Sequence, residues 1–89
     1  MTPRHVAQQP LGPRHLRTLT LIANGNTNAA IAARLGVTTH TTNWYVKQIL
    51  ARLGAHDRAH AVALAIRHGY LPLDEIQPHP QLPDHQSAA

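Results

Sequence analysis

Apolar residues recur at spacings of three and four positions in four separate stretches of this chain, and short breaks separate the stretches. This period is typical of amphipathic helices. The first helix is predicted to begin at Pro13, which suits a first turn, and to end near residue 24, where an Asn-Gly pair follows. The residues expected on its inner face are Leu16, Leu19, Thr20 and Ala23.

Glycine residues end the next elements. The run AAIAARL is predicted to form a second helix, capped by Thr27 or Asn28 and ended by Gly36. A third helix is expected from Thr39 to about Leu53, and a fourth helix from the residues after Asp57 to Gly69. Helix, Gly-containing turn and helix is the pattern of a helix-turn-helix, so we expect an all-α fold.

The third helix has two distinct faces. Val46, Ile49, Leu50 and Leu53 follow a helical period and define a buried stripe, which Thr42 extends weakly. At 100° per residue, the opposite face holds the residues His40, Asn43, Trp44, Lys47 and Ala51. An outward-facing Trp beside Asn and Lys is expected to meet a ligand, although it could instead fold back onto the N-terminal arm or a neighbouring molecule.

The charge distribution indicates what kind of ligand. Residues 1–69 hold all eight Arg and Lys residues and one acidic residue, whereas residues 70–89 hold three acidic residues and neither Arg nor Lys. A basic body favours a polyanionic partner. Residues 1–10 and residues 72–89 lack helical periodicity, and the second segment is Pro-rich, so both are predicted to be disordered around a domain at 11–71.

A major groove of double-stranded DNA fits the exposed face. Asn43 can bond adenine, Lys47 can reach guanine acceptors or a phosphate, and the ring of Trp44 can lie against a thymine methyl group. Further residues at helix starts, together with two arginines, are expected to contact the DNA backbone. These backbone candidates are Thr27, Asn28, Arg34, Thr38, Thr39, His40, Thr41 and Arg52.

The chain resembles the LuxR/GerE-type helix-turn-helix domain. The similarity runs without a gap from Leu11 to about Leu71 and includes LGPR, LIANG, TNAAIAARLGV, VKQILARLG and RAHAV, whose combined spacing carries the resemblance. It implies a four-helix domain whose third helix enters the major groove and whose fourth helix forms a two-fold dimer on DNA. The family's base-reading positions match Asn43, Trp44 and Lys47, the same residues that the helical projection places outward.

Two departures from the family pattern affect the expectations. The family usually carries Glu where this chain has His15, and an acid where it has Ala30, so a polar network between the first two helices is expected to be missing. The family's DNA sequence preference does not carry over either, because the third helix departs from the residues that most members carry and has Thr42, Asn43, Trp44 and Tyr45. Because the chain starts just ahead of the matching region, we expect a stand-alone transcriptional regulator, bacterial or phage, controlled by its abundance, a partner or its tails.

The fourth helix is apolar on more than one face, which favours a homodimer. The alternative is that the C-terminal segment, through Leu73, folds back and covers the second face. The residues expected in the dimer interface are Ala59, Val62, Ala63 and Ile66.

Other functions have weaker support. The folded region holds one acidic residue, Asp57, and no catalytic constellation, so we expect no enzyme and no cofactor. His56 and His60 have a spacing that can bind a metal but lack a third ligand, so we expect no metal site. Histidines could instead make a dimer pH-sensitive.

The chain lacks Cys, a signal peptide and a membrane-length apolar run, so a cytoplasmic protein is expected. The main alternative is a small interaction module that binds RNA polymerase or another regulator without reading DNA.

Overall fold

The computed structural model describes residues 11–78 of the 89-residue chain. That part consists of helices and connecting turns without a β-strand, which confirms the predicted all-α fold. The predicted N-terminal arm, residues 1–10, and residues 79–89 of the predicted tail lie outside the described residues. The elements in chain order are α1 (Pro13–Ala23), α2 (Asn28–Leu35), α3 (Thr39–Leu53), α4 (Arg58–Arg67) and a short 3-10 helix, η1 (Leu73–Glu75).

Side-chain caps set where three of the helices begin. Thr27, Thr38 and Asp57 each accept a hydrogen bond from the backbone N–H three residues later, at 3.1, 3.0 and 2.9 Å respectively. Each bond satisfies one of the first-turn N–H groups that have no partner within the helix. The cap of α2 is therefore Thr27 and not the alternative, Asn28. Gly36 ends α2 in the left-handed conformation, with φ of 72°, as its position predicted.

The core lies where α3 crosses α1 and α4. Leu19, Ile49 and Leu71 are almost fully buried there, and each such side chain stabilises the fold by about 1.5–3 kcal/mol. Ala61 and Ala65 are fully buried as well, and their small side chains allow α4 to approach the other helices closely.

A second apolar cluster joins α2 to its neighbours. Ile22 from α1, Ile31 from α2 and Val46 from α3 pack together. With Ile49, Val46 forms the buried stripe predicted for α3, and Thr42 is fully buried on the same side. The stripe therefore fixes the rotation of α3, so that its other face points away from the domain.

The inner face of α1 differs from the prediction. Thr18, Leu19 and Ile22 are buried, whereas Leu16 and Thr20 are only half-buried. Thr18, which the prediction left out, can be buried because its hydroxyl donates to the backbone oxygen of Arg14 at 2.8 Å. A hydroxyl satisfied within its own helix can be buried at little cost.

The folded part also extends beyond the predicted boundary at residue 71. Residues 72–78 were predicted to belong to a disordered tail, but the segment contains η1 and lies against α1. Asn24 Nδ2 donates to the backbone oxygen of Glu75 at 2.9 Å, and Asn24 Oδ1 accepts from the backbone N–H of Gln77 at 2.7 Å. Ile76 packs against the core as well, so the Pro-rich composition was a poor guide here.

Polar side chains of α1 form links to α2 and to α3. Nε2 of His15 lies 2.9 Å from Oε1 of Gln48 in α3. Arg14 Nη1 donates to the backbone oxygen of Leu35, the last residue of α2, at 3.3 Å. Within residues 11–78 no helix is long and apolar enough to cross a membrane.

Candidate nucleic-acid interface

The turn between α2 and α3 is held in place from both sides. After the left-handed Gly36, the backbone N–H of Val37 donates to the oxygen of Ala32 at 3.0 Å, which closes α2. The hydroxyl of Thr38 then caps α3 and also donates to the hydroxyl of Thr41 at 3.0 Å. Hydrogen bonds therefore define both the end of α2 and the start of α3, as a helix that presents side chains to a ligand requires.

The outward face of α3 is exposed as the helical projection predicted. His40, Asn43 and Lys47 are exposed, and Trp44 exposes 54% of its surface. The buried stripe lies on the opposite side of the same helix. The structure thus places the three predicted base-reading residues on one accessible surface.

The ring of Trp44 lies beside a residue of its own helix and is not part of the core. Its centroid lies 5.8 Å from that of Tyr45, with a tilt of 46° between the rings. Tyr45 in turn contacts His15 edge to face, also at 5.8 Å. The alternative in which Trp44 folds back onto the N-terminal arm involves residues 1–10, outside the described residues.

An open groove of about 340 Å³ runs beside this face, between the start of α2 and α3. Its walls combine amide, imidazole, amine and aromatic groups with one core residue. The lining residues are Asn28, His40, Asn43, Trp44, Val46 and Lys47.

The two asparagines of the groove form a hydrogen bond that sequence analysis missed. Nδ2 of Asn28 donates to Oδ1 of Asn43. Oδ1 of Asn28 is buried and has no hydrogen-bond partner. The two residues are 15 positions apart in different helices, so no local sequence signal predicted their contact.

The predicted backbone-contact residues divide into two groups by position. The first group surrounds the starts of α2 and α3, where the first N–H groups have no partner within the helix and the helix dipoles favour an anion. The second group, Arg34 and Arg52, lies exposed in the last turns of the two helices. Arg52 is 13 residues from Thr39, or about 20 Å along the helix, so these two candidates lie at opposite ends of α3. The members of the first group are Thr27, Asn28, Thr38, Thr39, His40 and Thr41.

The predicted dimer residues are only partly available. Ala59 and Ala63 are exposed on α4, whereas Val62 and Ile66 are half-buried and pack against the core of their own domain. The described part of the C-terminal segment, residues 72–78, bonds to Asn24 at the end of α1, and it leaves Ala59 and Ala63 exposed.

The histidine pair at the start of α4 serves the local structure. The rings of His56 and His60 stack with centroids 5.4 Å apart, and His60 Nδ1 accepts a hydrogen bond from the backbone N–H of His56 at 2.9 Å. The lone pair of His60 Nδ1 is therefore already used in this hydrogen bond. No group of three or more His, Cys, Asp or Glu side chains that could hold a metal ion occurs within 11–78.

Comparison with known proteins agrees with this architecture. Residues 9–65 match the family described as bacterial regulatory proteins, luxR family. The chain is 37% identical over 73 residues to the HTH-type transcriptional activator RamA of Corynebacterium glutamicum, covering 81% of this chain and 26% of RamA. It is 39% identical over 62 residues to the probable transcriptional regulatory protein SgaR of Hyphomicrobium methylovorum, covering 70% and 29%.

A third relative is the response regulator protein VraR of Staphylococcus aureus, 34% identical over 71 residues, with 80% of this chain and 34% of VraR covered. The chain thus spans about a quarter to a third of the length of these relatives. Because the family match covers more than half of the chain and the relatives are regulators from several bacteria, the chain belongs to the luxR family of bacterial regulatory proteins and carries its DNA-binding domain, which is not an enzyme.

Proposed function

We propose that this domain binds a specific sequence of double-stranded DNA by inserting α3 into the major groove, and that Asn43, Trp44 and Lys47 contact the base edges. The observation that carries the proposal is the exposed polar and aromatic face of α3, opposite the side on which Thr42, Val46 and Ile49 are buried. A helix held in this way can enter the groove without disturbing the core. Because the proposed partner is bacterial DNA, we also propose that the protein acts in the cytoplasm.

The three side chains offer complementary contacts. Lys47 donates to guanine O6 and N7, and the indole of Trp44 presents an apolar surface to a thymine methyl group. Asn43 adds an amide to the same face. Since Trp44 exposes more than half of its surface, its burial on DNA would add apolar contact area that the isolated domain does not provide.

Backbone contacts would hold this helix in register. The residues around the two helix starts, Thr27, Asn28, Thr38, Thr39, His40 and Thr41, offer N–H groups and side-chain donors for one set of phosphates. Arg34 and Arg52 offer charge for others. Contacts of this kind supply affinity that falls with salt but carries little sequence information.

We further propose that two copies associate through α4 when bound to DNA. Ala59 and Ala63 leave an exposed strip of small side chains, and the accessible edges of Val62 and Ile66 border it. Small residues allow two helices to approach closely, and a two-fold dimer would place two copies of α3 on half-sites one helical turn apart. Ala63→Glu is expected to abolish the dimer in analytical ultracentrifugation with DNA while each domain stays folded. A dimer that persists in that variant would exclude this surface.

Selection of bound duplexes from a random DNA pool at near-physiological salt tests the main proposal. The purified full chain should enrich an inverted repeat with a fixed centre-to-centre spacing. A folded protein that enriches no motif would overturn DNA reading.

A second candidate is an interaction module that binds RNA polymerase or another regulator. The exposed Trp44 favours it, because Trp is enriched among the residues that dominate protein interfaces. Purified RNA polymerase should then bind the chain in a Trp44-dependent manner, and the chain should show no salt-dependent affinity for DNA.

A further inference from the structure

We propose that Asn28 is a positioning residue that fixes the side-chain amide of Asn43 as a hydrogen-bond donor towards the bases, so that the operator carries guanine where Asn43 meets it. The proposal rests on the base-reading role proposed above. Its starting observation is the hydrogen bond from Nδ2 of Asn28 to Oδ1 of Asn43. A carboxamide is planar, so holding its oxygen towards α2 directs its NH₂ group to the other side.

The buried oxygen of Asn28 supports this orientation. Asn28 is half-buried at the first position of α2, and its Oδ1 is buried without a hydrogen-bond partner. Turning the Asn28 amide by 180° would bring Oδ1 to Asn43 but would bury the NH₂ group in its place. The NH₂ group would then occupy the buried position of Oδ1, and buried donors without a partner are rarer in proteins than under-satisfied oxygens. The orientation with the Asn28 NH₂ group towards Asn43 is therefore preferred.

The groove beside α3 then presents donors. The NH₂ group of Asn43 and the ammonium of Lys47, one turn further along, line the same groove of about 340 Å³. Guanine offers two acceptors in the major groove, O6 and N7, whereas adenine offers one acceptor and one donor. A bidentate bond to adenine needs both ends of the Asn43 amide on one base edge, but Asn28 draws the oxygen towards α2. This orientation favours guanine over the adenine contact that an unrestrained Asn would make.

The test compares the DNA motifs selected by the full-length wild type, Asn43→Ala, Asn28→Ala and Asn28→Asp. Asn43→Ala identifies the base position, because discrimination is lost there. The wild type is expected to prefer guanine at that position. Asn28→Ala releases the Asn43 oxygen, so the ratio of adenine to guanine should rise about five- to tenfold.

For Asn28→Asp we expect a reversed base preference. A carboxylate only accepts hydrogen bonds, so it would turn the NH₂ group of Asn43 towards α2 and its oxygen towards the bases. The preference should then shift to the edges that carry a donor, cytosine N4 or adenine N6. The added negative charge would weaken binding to all sequences, but the comparison uses relative preferences at one position and is insensitive to that uniform loss.

Asn26→Ala is the matched control, because Asn26 Nδ2 donates to the backbone oxygen of Leu21 at 2.9 Å within the same connection. It should reduce stability without altering any base preference. Circular dichroism melting checks that each variant is folded. An unchanged preference in both Asn28 variants, with discrimination lost in Asn43→Ala, would overturn the positioning role while DNA reading stands. Absence of any motif for the folded wild type would overturn both proposals.

Discussion

Nε2 of His15 and Oε1 of Gln48 lie 2.9 Å apart and join α1 to the helix that carries Asn43 and Lys47 on its outer face. Because the amide oxygen only accepts, Nε2 carries the proton in this contact. Nδ1 of the same imidazole is buried and has no partner. The contact therefore links α1 to α3 through an imidazole and a side-chain amide.

Gln48→Ala is expected to lower the free energy of unfolding by about 1–3 kcal/mol, because the half-buried imidazole of His15 would lose its hydrogen-bond partner. Urea denaturation followed by circular dichroism measures the change. Gln77→Ala is the control, since the side chain of Gln77 is exposed and bonds only the backbone of Asp74 nearby. Equal losses in the two variants would show that the His15 contact does not stabilise the domain.

Asn24→Ala is expected to release the C-terminal segment from α1. The substitution removes side-chain bonds to Thr20, Glu75 and Gln77, and should cost about 1–3 kcal/mol of stability. Limited proteolysis should then cut within residues 72–78 faster than in the wild type. Thr20→Val removes the hydroxyl that donates to the backbone oxygen of Leu16 at 3.1 Å within α1 and to Glu75 at 3.4 Å, and it should leave the cleavage rate nearly unchanged. Equal protection in wild type and Asn24→Ala would contradict the anchoring role.

The same substitution at two glycines should have opposite effects. Gly36→Ser forces a side chain into the left-handed region, at φ of 72°, and should destabilise the domain by about 1–2 kcal/mol. Gly12 is the N-cap of α1, has an extended backbone and provides no side-chain cap. Gly12→Ser adds a capping hydroxyl and reduces the freedom of the unfolded chain, so a gain of about 0.5 kcal/mol is expected. Thermal unfolding of both variants measures the difference, and a change of the same sign in both would be inconsistent with these backbone arguments.

The helices and the outward face of α3 could be predicted from sequence because their signals are local. A cap such as Thr38 and a period of three to four act within one or two turns. The contacts that were missed depend on how helices pack: Asn28 meets Asn43 across 15 positions, and Asn24 meets Gln77 across 53. The partial burial of Val62 and Ile66 was missed for the same reason, since α4 is apolar on several faces and its pattern does not say which face packs inward.

Lys47→Ala is expected to weaken binding to the selected operator about tenfold and to relax base preference at one position. Fluorescence anisotropy with the operator and with single-base variants measures both effects. Arg17→Ala removes the same charge from a side chain that lies beside Tyr70 and Glu75, away from the α3 groove, and should leave base preference unchanged. If Lys47→Ala instead flattens the salt dependence by about one unit of slope with preferences intact, Lys47 contacts a phosphate and not a base.

Trp44→Ala separates binding from folding most clearly. The side chain is 54% exposed and touches Tyr45 of its own helix, so its loss should change the free energy of unfolding by no more than about 0.5 kcal/mol. If the indole packs against a thymine methyl group, the same variant should lose about 2 kcal/mol of binding free energy, close to thirtyfold in Kd. The loss should disappear when that thymine is replaced by uracil, which keeps the hydrogen-bonding groups but lacks the methyl group. A variant that binds the selected operator as tightly as wild type would remove Trp44 from the DNA interface and leave its exposed ring to a protein partner.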